Sequence, residues 1–253
     1  MFTTATPGAQ VLSMARRGAS PWKLAPYPTD VGTAMTGAAI RPATTLGSAP
    51  SIPATATPSA AEEQLKRMVL QPGDLPAGFS VEEGTFSTNE DVASGADDPQ
   101  AELASLTEWG RILGHDVVFS PDSTVTNEAG VLIVESTVSL YESDSGAAAS
   151  FADAVKTARA VDWQANITGA KDLRVEEVPP LDVADEMLWL RISGTALIGE
   201  GATEQAFVED MVVLRVGRVR GSVAMASAGG SAAAQLAESL VRSQAADMAA
   251  GVR

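Results

Sequence analysis

Few residues in this chain could carry catalytic chemistry. His115 is the only histidine among 253 residues, so any serine–histidine–aspartate triad or histidine-ligated zinc would depend on it alone. It stands in Gly114-His115-Asp116-Val117, at the start of an apolar run, and reads as an ordinary strand-edge histidine. Cysteine is absent, which excludes disulfides, thiolate catalysis and cysteine-ligated metal sites. No nucleophile elbow, P-loop or zinc-protease helix occurs, and Gly199-Glu200-Gly201 lacks the third glycine of a dinucleotide fingerprint. The adjacent carboxylates Glu82-Glu83 and Glu176-Glu177 fall on strands. Alternation there sends neighbours to opposite faces, so neither pair can act as a two-carboxylate acid–base device.

Loop carboxylates and arginines remain. Asn89, Glu90, Asp91, Asp97 and Asp98 form one oxygen-rich stretch, and Asp182, Asp185 and Glu186 another. Neither has the spacing of a calcium loop, and both read as solvated loops and helix caps. A hydrolase built on them would need two carboxyls converging within roughly 5 to 10 Å. Ligand-contacting candidates are Trp109, Trp189, Arg191, Arg215 and Arg220. The tryptophans could line a groove or fill a core. Arg215 and Arg220 face each other across a hairpin, a like-charged pair that calls for carboxylates from a neighbouring strand or loop. Their side of the sheet is either a solvated face or an anion-binding patch. No metal site and no cofactor is expected.

The hairpin is the most legible element. Two β-branched runs flank Gly217-Arg218, and glycine at the first central position suits a type II′ turn. Val216 should then pair with Val219, Leu214 with Gly221, Val212 with Val223 and Asp210 with Met225. That register puts Val212, Leu214, Val216, Val219, Val223 and Met225 on one buried face. Further strands are expected at 79–83, 112–120, 131–142, 173–178 and 186–196. In the last, Leu188, Leu190 and Ile192 should face one way and Met187, Trp189 and Arg191 the other. Ser59 starts a short helix with capping-box spacing to Glu62, and Asp98-Pro99 starts another that ends near Trp109-Gly110. Long helices follow at 145–161 and 231–250, each with an apolar stripe at helical spacing. The implied fold is α+β: a mainly antiparallel sheet covered on one face by the two long helices.

Residues 61–253 read as one domain and 1–60 as a flexible leader or linker. That first stretch holds eight of the fourteen prolines, and Ala, Thr, Pro, Ser and Gly fill 41 of its 60 positions, a composition that buries too little to stay ordered. Its net charge is +3 against −18 for the rest of the chain. So acidic a body repels nucleic acid and anionic membrane surfaces. No stretch reaches the roughly 18 apolar residues of a membrane span. Arg16-Arg17 is not followed by the apolar segment of an export signal, and no signal peptide or lipid-attachment cysteine is evident in the chain as written.

Three stretches carry a resemblance. Leu75-Pro76-Ala77-Gly78-Phe79 is similar to the entry motif of extracytoplasmic bacterial lipoprotein and sensor-like domains, PknH-sensor-like or PsbP-like in fold. Tyr141-Glu142-Ser143, followed by a helix carrying Ala148 and Phe151, resembles their strand-then-helix unit. Arg215-Val216-Gly217-Arg218-Val219 resembles their late hairpin, with Arg218 where Asn is commoner. The resemblance implies a non-enzymatic module of the cell envelope that binds a small ligand or an envelope protein. Alternatives are the carboxylate-dependent hydrolase and a structural surface or assembly protein.

Overall fold

A computed structural model describes residues 59–81, 84–122, 130–167, 170–198 and 203–252. The leader up to residue 58 and the Glu82-Glu83 pair lie outside the described residues. The chain order is helix α1 (Ala60–Lys66), a 3-10 turn (Pro72–Asp74), β1 (Phe79–Val81), β2 (Thr85–Ser87), α2 (Asn89–Ser94), α3 (Pro99–Glu108), β3 (Arg111–Pro121) and β4 (Val131–Tyr141). There follow α4 (Asp144–Ala160), α5 (Trp163–Asn166), β5 (Lys171–Val178), β6 (Glu186–Ile198), β7 (Thr203–Val216), β8 (Val219–Ser227) and α6 (Ser231–Gly251).

The strands form one eight-stranded sheet in the order β1-β3-β4-β8-β7-β6-β5, with β2 also on β3, and every pair is antiparallel. The organising hairpin pairs Val216 with Val219, Leu214 with Gly221, Val212 with Val223 and Asp210 with Met225, the register that the turn chemistry dictates. Gly217 sits at φ 55°, the left-handed position that a type II′ turn needs.

The two long helices do not share a face, which corrects the expected architecture. α6 packs Ala237, Leu240, Val241, Ala245 and Met248 against Val212, Leu214, Val219, Val223 and Met225, joined by Leu65, Met68 and Leu70. α4 packs Phe151, Ala154 and Ala158 against Leu188, Leu190, Ile192, Met211 and Val213. These two sets alternate along β6 and β7, so the helices lie on opposite sides of the sheet. The reason is visible in Met211-Val212-Val213-Leu214, an unbroken apolar run whose members are all buried. A strand buried on both faces needs cover on both.

A buried polar chain ties the α6 side together. Leu70 N–H donates to Ser136 Oγ at 3.0 Å, Ser136 Oγ donates to Gln244 Oε1 at 2.9 Å, and Gln244 Nε2 donates to the Thr137 carbonyl at 2.8 Å. Among the described residues, no helix is long and apolar enough to cross a membrane.

Candidate functional site

The α4 side of the sheet carries one cross-strand row near the hairpin turn. Register aligns Ser87 of β2 with Gly114 of β3, Ser139 of β4, Arg220 of β8, Arg215 of β7 and Glu186 of β6. Side chains of paired residues point the same way. Arg111, at the head of β3, folds its guanidinium onto this row. A Cβ added to Gly114 would lie 2.1 Å from its Nη2, so glycine there is what lets the guanidinium lie against the strand. Its Nε donates to Ser139 Oγ at 3.2 Å, Nη1 to the Ser87 carbonyl and Asn89 Oδ1, each at 3.1 Å, and Nη2 to Ser87 Oγ at 2.8 Å.

Arg220 crosses from β8 to α4. Its Nη1 donates to Ser150 Oγ at 2.7 Å and the Ser150 carbonyl at 3.3 Å. Ser150 Oγ also shares a 2.6 Å hydrogen bond with the Tyr141 hydroxyl, and both residues are fully buried. Arg218, in the turn, reaches the Tyr141 carbonyl at 3.4 Å through Nη1. Arg218 and Arg220 thus bond the end of β4 and the second turn of α4, and Arg111 bonds Ser139, two residues before Tyr141 on β4.

Their partners are neutral. Among the described residues, Arg111, Arg218 and Arg220 have no carboxylate oxygen within 4.0 Å, whereas Arg159, Arg191, Arg215 and Arg242 all do. Arg111 is only 6% exposed. Burial lowers its pKa to about 10, and the neighbouring positive charge of Arg220 adds to that shift; Tyr141 opposes it, as do the more distant carboxylates of Asp91 and Glu102. It remains protonated at neutral pH. The expected carboxylates reach only half of the like-charged pair. Arg215 donates from Nε to Glu186 at 2.5 Å and from Nη1 to Asp185 at 3.1 Å; Arg220 meets none.

The five candidate residues separate into three places. Arg215 and Arg220 share the row. Trp189 and Arg191 lie on the opposite, α6 side, where both donate to Asp210 Oδ1, at 2.7 Å from Trp189 Nε1 and 2.9 Å from Arg191 Nε. Asp210 is 2% exposed, so this trio is an internally satisfied ion pair within the fold. Trp109 caps the C-terminus of α3, and its backbone oxygen abuts the first turn of α4 at Gly146, beside the arginines. Sequence reasoning missed Arg111, Ser139 and Ser150. Starting β3 at Ile112 left Arg111 outside the strand; strand pairing brings Ser139 to it, and the packing of α4 on the sheet brings Ser150 to Arg220.

His115 is buried inside the sheet rather than at an edge. It pairs with Phe86 and Val138, and stacks on the Phe86 ring with centroids 4.3 Å apart. Burial lowers its pKa, although the hydrogen bond between Nδ1 and the Thr85 carbonyl works the other way. The two acidic loops occupy opposite ends of the arginine row. Asn89 stands beside β2 and Glu186 opens β6, five strand spacings or about 24 Å apart. Carboxyls that far apart cannot form an acid–base pair. Locally, Asp91 caps α2 through Thr88, Asp98 caps α3, and Asp185 and Glu186 hold Arg215. Among the described residues, no three histidine or acidic side chains cluster so as to hold a metal ion.

No family model and no curated protein matches this sequence. Among solved structures, the chain is similar to the extracellular domain of PknH from Mycobacterium tuberculosis. The identity is 11%, the match covers 74% of this chain and 97% of that one, and the TM-score is 0.46.

Proposed function

We propose that this protein is a non-enzymatic, sensor-like binding module of the bacterial cell envelope, and that its ligand is anionic and seated at the arginine cluster beside α4. One observation carries the reading. A chain of net charge −15 keeps Arg111, Arg218 and Arg220 near the end of β4, at most half exposed, and among the described residues their hydrogen-bond partners are all neutral. Desolvated like charges are unfavourable unless an opposite charge joins them. An anion supplies that charge. The envelope location is supported by the tether-like composition of residues 1–60 and by the motif resemblance. The absence of a converging carboxylate pair among the described loops favours binding over hydrolysis.

A thermal-shift screen of the full chain tests this, with anionic, neutral and cationic small molecules compared at constant ionic strength. Anions should raise the melting temperature of the wild type and leave Arg220→Gln unmoved. Stabilisation by neutral or cationic compounds alone, or by anions equally in both proteins, contradicts it.

A further inference from the structure

The geometry points to the class of anion: a tetrahedral dianion of the phosphate-monoester kind, held between Arg220, Arg218 and Arg111. This deepens the proposed function and rests on it. A carboxylate is planar and is satisfied by one bidentate guanidinium. Here three guanidiniums arrive from three places, the head of β3, the hairpin turn and the start of β8, so a ligand with oxygens pointing in several directions fits better than a flat one.

The donor inventory agrees. Among the described residues, Arg220 and Arg218 each donate through Nη1 alone, to Ser150 and to the Tyr141 carbonyl. A guanidinium has five N–H groups, so Nε and Nη2 of both have no partner among the described residues. Arg111 is different: four of its five bond to Ser87, Asn89 and Ser139. It is a fixed buried charge, held over Gly114, that adds attraction without having to move. A monoester phosphate carries about −1.5 to −2 near pH 7; the Asp91 and Glu102 carboxylates act on Arg111 from farther off, so the dianion's charge falls mainly to Arg220 and Arg218.

Isothermal titration calorimetry of the full chain with inorganic phosphate, at constant ionic strength, is the test. Binding should weaken tenfold or more in Arg220→Gln and be substantially retained in Arg220→Lys, which keeps the charge. Inorganic phosphate loses its second proton near neutral pH, about one unit above a monoester, so affinity should also rise several-fold between pH 5.5 and pH 7.5 as the dianion forms. A parallel flotation assay with neutral vesicles, with or without phosphatidic acid, separates a free phosphate from the same group on a lipid. Binding in either arm that is sensitive to Arg220→Gln supports the inference. No binding in either arm overturns it. If acetate or citrate binds through Arg220 and phosphate does not, the dianion assignment falls while the anion-binding function stands. If no anion depends on Arg220, both fall.

Discussion

At the level of single residues, burial decides which charges matter. Glu209 stands on the α4 side of β7, where burial first, then the charges of Glu135 and Asp210, push its carboxyl up to about 7. The folded state thus holds this proton more tightly than the unfolded chain. The associated stability is complete below the unfolded value of about 4.3 and is lost as pH rises through 7. Glu209→Gln should therefore stabilise the protein by roughly 2 kcal/mol at pH 8 and leave it unchanged at pH 4, as read by urea denaturation at the two pH values. Equal effects at both would mean that the carboxyl does not titrate in this range. His115 acts in the opposite sense: its lowered pKa withholds stability as pH falls below about 6.5. Gly114→Ala should displace the Arg111 guanidinium, because the new methyl would meet Nη2 at 2.1 Å and Ser87 Oγ at 2.7 Å. We expect a fold that survives with at least tenfold weaker anion binding, measured by calorimetry. Unchanged binding would remove Arg111 from the site.

Elements were legible from the sequence where the signal is local. The Gly217-Arg218 turn set its own register, and the Ser59 and Asp98 caps lie where their side chains predict, accepting from Glu62 N at 3.2 Å and Ala101 N at 3.1 Å. The α2 helix was passed over as a polar loop, although Thr88 and Asp91 repeat the spacing of Ser59 and Glu62 and form the same reciprocal cap. The polarity of the stretch hid it. Packing between elements was less legible, because Ser136 and Gln244 look like surface residues until register buries them. Ser136→Ala would strand the Leu70 N–H and Gln244 Oε1 in the core, so it should cost about 2 kcal/mol in chemical denaturation. A cost near zero would show that water reaches this seam.

For the whole molecule, the sequence showed a sheet and two long helices but not which side each helix takes. That depends on reading Met211-Val212-Val213-Leu214 as one strand buried on both faces, and a short apolar run does not by itself distinguish that from a buried helix segment. The same split separated the candidate residues. Alternation sends Trp189 and Arg191 to the α6 side and Arg215 and Arg220 to the α4 side. The site then assembled around Arg111, a residue 109 positions from Arg220 in sequence and joined to it through Ser139 and through Tyr141 and Ser150. Nothing local marks such a cluster; it exists because three antiparallel strands align.

The most direct test of the account is an NMR titration that follows the arginine Nε–H resonances of the full chain as inorganic phosphate is added at constant ionic strength. The account predicts saturable shifts at Arg220 and Arg218, with Arg159, Arg215 and Arg242 held still by their ion pairs. Uniform small shifts at every arginine, or none at Arg220, would contradict it.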